Sequence, residues 1–300
     1  STLIVGGHVT AIPGVDRLVD ADHFVKGEGV AWMREYLGEP SDAPIHHPAF
    51  PSSFGFGLSW RPRDTLTLSA DYTRTTASIS FDAGSADGAV HSVLNHVNLV
   101  KALTGVEAEI PPVRLPDANA EEKAGVDALL AEAGLTGARF AAVHIGAGNA
   151  FRDWDASSYA RLVERLFLES GTASLLVGGA SDLVKESEIR AGAKVPVASL
   201  AGRLNLAELK EAIGRAALFV GPDSGPMHIA SATRTPIVAV FGPTLPAHFA
   251  PWRAQARIVE TALDCRPCRQ RHCQRRDFGC IKGITFDEVY EACRSFLRAD

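Results

Sequence analysis

Residues 218–244 read LFVGPDSGPMHIASATRTPIVAVFGPT, and this stretch constrains the fold more than any other part of the chain. The apolar runs at 218–220 and 237–241 show no alternation, as expected of parallel strands buried on both faces, and the segment between them has room for one crossover helix. The pattern predicts a βαβ unit. Ser224 is placed to cap that helix, and Pro226 falls in its first turn, where a missing N–H costs nothing. The spacing predicts free N–H groups on Gly225, Met227 and His228 that point out of the helix end, an arrangement that attracts an anion. His228 lies one turn after Ser224 on the same helix face. Asp223 stands at the strand end, placed to orient a hydroxyl or a loop amide.

From about residue 121 the chain repeats this alternation. Helices over 121–133, 157–170 and 205–216 lead into strands at 140–145, 174–177 and 218–220, with a further short strand at 197–200. Alternation of this kind implies a doubly wound parallel sheet. The strands end in Gly146-Ala147-Gly148, Gly178-Gly179, Ala201-Gly202, Gly221-Pro222-Asp223-Ser224-Gly225 and Gly242-Pro243-Thr244. Right-handed crossovers put all five loops on one edge, where open α/β sheets bind ligands. Each loop alone is a turn signal: Gly146-Ala147-Gly148 lacks the third glycine of the dinucleotide fingerprint, and no Walker lysine occurs. Five on one edge point to a nucleotide-diphosphate site.

The first third reads differently. A strand over 1–5 is followed by turn residues, a second short strand at 17–19 and a helix over 30–37. Between 54 and 74, two runs alternate apolar and polar residues around Arg61-Pro62-Arg63-Asp64, which predicts an antiparallel hairpin. That hairpin resembles a strand pair from an outer-membrane β-barrel of the fatty-acid-transporter type, but one hairpin cannot close a barrel, and it is assigned to the first domain. A helix over 91–103 precedes prolines 111, 112 and 116, which mark the linker between domains 1–110 and 111–300. His91 and His96 are read as surface or packed residues rather than metal ligands, since no other His or carboxylate falls at ligand spacing on their helix face. With 300 residues, 46% hydrophobic and 22% charged, the composition fits about two globular domains, and a net charge of −5 gives no overall basic field for nucleic acid. No apolar run reaches the roughly 18 residues of a membrane span, and the N-terminus lacks a signal-peptide pattern, so a cytoplasmic location is expected.

The strings DSGPMHIASA and FGPT resemble the signature of glycosyltransferase family 9, the lipopolysaccharide heptosyltransferases. HIGAGNAFRDW is similar to a second motif of that family, in which a basic residue two before the tryptophan holds the donor diphosphate; Arg152 occupies that position. The resemblance is strong from about residue 106 onward. It implies a GT-B type α/β fold of two Rossmann-like domains, the first shortened and carrying the hairpin, with the C-terminal helix returning across the domain junction. It implies a donor site of Gly146, Ala147, Arg152, Gly179, Ser181, Asp182, Asp223, Ser224, Gly225 and His228, with no cofactor. It further implies inverting, metal-independent transfer of heptose or a related sugar from an ADP-sugar to the lipopolysaccharide inner core or lipid A, with at most peripheral contact at the inner face of the inner membrane.

The family's Gly-Asp loop, with its catalytic aspartate, would precede Ser1. This chain is therefore expected to bind donor better than it turns it over. Asp16, Asp20 and Asp22 are read as surface charge, leaving the catalytic base unassigned. Two alternatives stand beside this reading. One is a nucleotide-sugar-binding protein without chemistry; the other is a nucleotide-sugar epimerase, against which the DSGPMH string argues.

Four of the five cysteines, Cys265, Cys268, Cys273 and Cys280, fall among Arg266, Arg269, Arg271, Arg275, Arg276 and Lys282. Only the first pair has the C-x2-C spacing of a zinc arm, so these four are candidate metal ligands with a reduced structural turn as the alternative. The basic residues are placed to face an anionic acceptor, or else form a solvated loop. Cys293 is assigned to the core of the last helix.

Overall fold

The computed structural model describes residues 4–6, 23–25, 56–61, 65–72, 75–82, 90–95, 97–98 and 109–297, except Arg269. The strand expected at 17–19, the helix expected at 30–37, and Asp16, Asp20, Asp22 and His96 lie outside these residues. The chain divides into two compact units, Ser1–Ile110 and Pro111–Asp300.

In the first unit, β1 (Ile4–Gly6) pairs in parallel with β2 (His23–Val25). A separate antiparallel sheet is formed by β3 (Phe56–Arg61), β4 (Thr65–Tyr72) and β5 (Thr75–Asp82), with Phe56 opposite Ala70 and Leu66 opposite Phe81. The third strand extends the pair anticipated at 54–74. Residues 92–95 and 97–98 are helical, and the His91 ring accepts the Val93 N–H at 3.2 Å at the start of that segment.

The second unit is built on a six-stranded, all-parallel sheet. Its strands are β6 (Phe140–His144), β7 (Ala173–Val177), β8 (Ala198–Ser199), β9 (Leu218–Pro222), β10 (Ile237–Phe241) and β11 (Ala256–Glu260). They lie in the order β11-β10-β9-β6-β7-β8. Numbered from β6, this is the 3-2-1-4-5-6 order of the classical doubly wound fold, whose strand order reverses between β6 and β9. Residues of β6, β9 and β10 alternate between two apolar layers. Ala141, Val143, Val238 and Val240 face one layer, and Phe140, Ala142, Ile237, Ala239 and Phe241 face the other. Both faces are covered, which is why these strands read as unbroken apolar runs.

The helices have local stop and start signals. Asn119 caps α1 (Ala120–Glu132) in a reciprocal box with Glu122, and Asn205 caps α4 (Leu206–Arg215) in the same way with Glu208. Asp155 caps α2 (Ala156–Ser170), which ends at Gly171 in the left-handed conformation. Between them, α3 spans Leu183–Gly192. Beyond β9 come α5 (Gly225–Ala230), α6 (Pro246–Phe249), α7 (Gly279–Lys282) and α8 (Phe286–Leu297). Val289, Tyr290, Cys293 and Leu297 of α8 are buried in the second unit's core with Leu162, Val163 and Leu166 of α2. Polar contacts fix it there: Arg139 donates to the Leu297 carbonyl at 3.0 Å, and Tyr290 donates to Glu169 at 2.8 Å. Among the described residues, no helix is long and apolar enough to cross a membrane.

Candidate functional site

The reversal between β6 and β9 leaves their C-terminal loops side by side, where an open parallel sheet offers a crevice. The loop after β6 turns back through Arg152 to Trp154. Trp154 is fully buried, donates its indole N–H to the Ile284 carbonyl at 2.9 Å and meets Tyr159 edge-on at 4.8 Å. Burying such a side chain contributes several kcal/mol and holds the loop at one height on the sheet. Arg152, two residues before this anchor, therefore reaches across the crevice. Its Nη1 donates to the Asp223 carbonyl at 2.8 Å and lies 3.7 Å from Asp223 Oδ2. Its Nε is buried without a partner among the described residues, and the side chain is 26% exposed. A buried donor left unpaired costs about 1–3 kcal/mol, and such groups mark places where an acceptor is supplied from outside.

Asp223 is 3% exposed and continues the β9–β10 ladder by donating its N–H to Val240 at 3.1 Å. Its carboxylate accepts the Thr244 hydroxyl at 2.6 Å. The Thr244 carbonyl in turn accepts Arg266 Nη2 at 2.7 Å, while Arg266 also binds the Thr261 carbonyl and Glu260, each at 2.6 Å. A charged chain thus runs Arg152, Asp223, Thr244, Arg266, Glu260 over the ends of β9, β10 and β11. Thr244 and Arg266 were not among the expected site residues. The signal for Thr244 was its place in the FGPT loop; Arg266, read as one of a basic cluster that faces an anionic acceptor or else forms a solvated loop, is only 5% exposed and points inward.

The β7 loop completes the edge. Asp182, in the 3-10 turn Ala180–Asp182, accepts the Gly179 N–H at 2.7 Å. Its carboxylate fills the space above the β6 loop so closely that a Cβ built on Gly146 would stand 2.3 Å from Asp182 Oδ2, and one on Gly178 would stand 2.7 Å away. A side chain at either position would have to displace the Asp182 carboxylate. Below them, the buried His144 ring lies 3.1 Å from the Val177 carbonyl through Nδ1, and burial holds its pKa below the usual histidine value.

The structure therefore joins Gly146, Gly179 and Asp182 in one contact set and Arg152 with Asp223 in another. Ala147 is buried beside Gly146, and Gly225 is exposed at the start of α5. Ser181 is exposed, its hydroxyl 3.7 Å from a Cβ built on Gly179. His228 is half-buried one turn along α5. Ser224 occupies the N-cap position, but its side chain makes no capping bond and its hydroxyl donates to the Pro222 carbonyl at 3.1 Å. The expected set of free amides is also smaller, because the Met227 N–H bonds the Ser224 carbonyl at 3.1 Å. With only six residues in α5, the aligned peptide dipoles are few, and Arg152 becomes the main positive group of the edge.

The cysteine segment does not assemble the candidate metal set. Cys265, Cys268, Cys273 and Cys280 are free and half-buried, and among the described residues no group of three or more His, Cys, Asp or Glu side chains is arranged to hold a metal ion. Burial, followed by the neighbouring Cys268 and Cys265 sulfurs, pushes the Cys280 thiol up. The segment instead props the edge: the Cys268 N–H donates to the Pro243 carbonyl at 3.2 Å, Asn149 donates to Gln270 at 3.0 Å, and Phe151 meets Phe278 at 5.3 Å.

The model of glycosyltransferase family 9 (heptosyltransferase) matches residues 70–278, from within β4 into the cysteine segment. The chain belongs to glycosyltransferase family 9. It is 29% identical over 151 residues to lipooligosaccharide heptosyltransferase 2 of Campylobacter jejuni, an alignment covering 48% of this chain and 46% of that one. The chain spans about half the length of the curated relatives it matches. Among solved structures, a family 9 glycosyl transferase from Veillonella parvula superposes with a TM-score of 0.62 at 21% identity, covering 73% of this chain and 62% of that one. The Escherichia coli ADP-heptose lipopolysaccharide heptosyltransferase II superposes with a TM-score of 0.51 at 25% identity, covering 63% and 56%. These likenesses support a GT-B-like fold.

Proposed function

We propose that this family 9 member transfers heptose or a related sugar from an ADP-sugar to the inner core of lipopolysaccharide, with inversion and without a metal ion. The observation that carries the reading is Arg152 held across the β6/β9 crevice against Asp223, with a buried donor left unpaired beside the loops where a diphosphate would lie. The name of the E. coli heptosyltransferase II supplies the donor and acceptor class. In this reading Gly146 and Ala147 let the diphosphate approach the backbone, and Asp182, with Ser181 and Gly179 beside it, faces the ribose. Ser224, Gly225 and His228 flank the phosphate on the other side.

An acceptor hydroxyl oxygen attacks the anomeric carbon from the face opposite the diphosphate. The bond from that carbon to the phosphate oxygen breaks, and the nucleoside diphosphate leaves with the electron pair. Its developing charge is met by the Arg152 guanidinium, an arrangement more valuable in a partly dry crevice than in water. The hydroxyl proton passes to a general base, for which no residue of the donor edge is assigned.

The test is to incubate the protein with ADP-heptose and a heptose-deficient inner-core acceptor, following ADP release and the anomeric configuration of the product. ADP released in step with transferred sugar of inverted configuration, undiminished by a chelator, supports the proposal. Saturable binding of UDP but not of ADP would refute the donor assignment, and a retained configuration would refute the inverting route.

A further inference from the structure

We infer that the turn between β11 and α7 is the surface that receives anionic groups of the acceptor, at the rim of the donor edge; this rests on the glycosyl-transfer reading above. Residues 264–282 hold six Lys and Arg against two Asp, in a chain whose acidic residues outnumber its basic ones by 35 to 30. Arg271, Arg275, Arg276 and Lys282 are exposed. Little of this charge is spent internally. Arg275 pairs with Asp277 at 3.1 Å and Lys282 sits over the Phe278 ring at 5.5 Å, whereas among the described residues no ion pair engages Arg271 or Arg276. Arg266, the remaining described cation, is turned inward to hold Thr244.

The turn is held against the donor edge rather than hanging in solvent. It is tied to the β10 loop through Cys268 and Pro243, and to the β6 loop through Gln270 with Asn149 and Phe278 with Phe151. Packing is tight at its end, where a Cβ built on Gly242 would stand 3.1 Å from the Phe151 carbonyl and 3.2 Å from Ile281 Cβ. Gln270, Arg276 and Phe278 hold left-handed backbone at φ 55°, 60° and 53°, a conformation that non-glycine residues keep only where the surroundings fix it. The arginines are therefore presented at set positions beside the crevice.

Exposed charges act over about 8 Å at physiological salt, so these cations select a partner that comes to the rim itself. An acceptor must come there, because its hydroxyl has to reach the sugar held by the donor edge. Guanidinium forks match the oxygens of phosphate and carboxylate groups. The chemistry that fits is a phosphate- or carboxylate-bearing saccharide whose anionic groups lie near the accepting hydroxyl.

The experiment uses the full chain and its R271Q/R276Q variant, neither residue touching the donor edge. Thermal unfolding and ADP affinity are expected to be unchanged by the substitutions, and loss of ADP binding by the parent chain would be a failure of the donor site, separate from this surface. The probes are uncharged-detergent micelles carrying phosphorylated inner-core glycolipid, the same glycolipid after removal of its phosphates, and phosphatidylglycerol vesicles. The parent chain is expected to prefer the phosphorylated glycolipid by about 10-fold or more, with the preference falling as salt is raised and largely lost in the variant. Should that variant be unstable, Lys282→Gln is expected to move the preference in the same direction. Equal binding to the two glycolipids would overturn the inference. So would binding to phosphatidylglycerol vesicles as tight as to the phosphorylated glycolipid, which would make the turn a bilayer contact.

Discussion

At the scale of single residues, the candidate site depends on how one acidic side chain is surrounded. Asp223 is almost wholly buried, and its charge is tolerable there because Thr244 donates to it and Arg152 lies beside it. Arg152→Ala removes the charge and the bond to the Asp223 carbonyl. With a charge-assisted bond to phosphate worth about 1.5–3 kcal/mol, calorimetry should show ADP affinity lowered by about 10- to 150-fold, and unchanged affinity would remove Arg152 from the site. His144 gives a second prediction. It is buried as the neutral ring with its pKa below the usual value, so the unfolded chain takes up a proton first as pH falls below about 6.5. Its contribution is intact above that value and is lost as pH falls toward the folded pKa. Scanning calorimetry from pH 7.5 to 5.5 should find the melting temperature falling in this window, with a shallower fall in His144→Asn; parallel curves would contradict the assignment. Carboxylates held below their usual range, such as Asp277 through the Gly279 amide, titrate lower still. Arg152 and Asp223 were legible in the sequence because each sits in a dense motif. Thr244 and Arg266 were not recognised as partners, because the contacts that define them join residues 21 and 22 positions apart.

At the scale of elements, legibility followed burial. Strands β6, β7, β9 and β10 lie inside the sheet, are covered on both faces and read as apolar runs. The sixth strand, β11, lies at the sheet's edge with Arg257 and Glu260 exposed, so ARIVE carried no such signal and no strand was anticipated there. The helix after β9 was legible as a helix, but its capping chemistry was not: a serine at the N-cap position predicts a side-chain cap, and the structure uses that hydroxyl on Pro222 instead. How closely the β6 and β7 loops approach each other is likewise a tertiary fact. Gly146→Ala puts a methyl group into the Asp182 carboxylate, and overpacking of that kind costs about 1–3 kcal/mol. Adding Asp182→Ala should return most of the lost stability in chemical denaturation. Equal stability of Gly146→Ala and the parent chain would show that Asp182 moves aside without cost.

At the scale of the whole molecule, the alternation of helix and strand after residue 121 predicted the doubly wound sheet, and the family match extends from residue 70 to 278. Periodicity alone does not state strand order, and it is the order that places the reversal, and with it the crevice, between β6 and β9. The central claim is that this crevice takes a nucleoside diphosphate. Amide hydrogen exchange of the folded chain, with and without saturating ADP, tests it most directly. The account predicts slowed exchange confined to the β6 loop from Gly146 to Arg152, the β7 loop around Gly179 to Asp182, and the β9 loop from Asp223 to His228. Unchanged exchange in all three loops, or protection centred elsewhere on the chain, would contradict it.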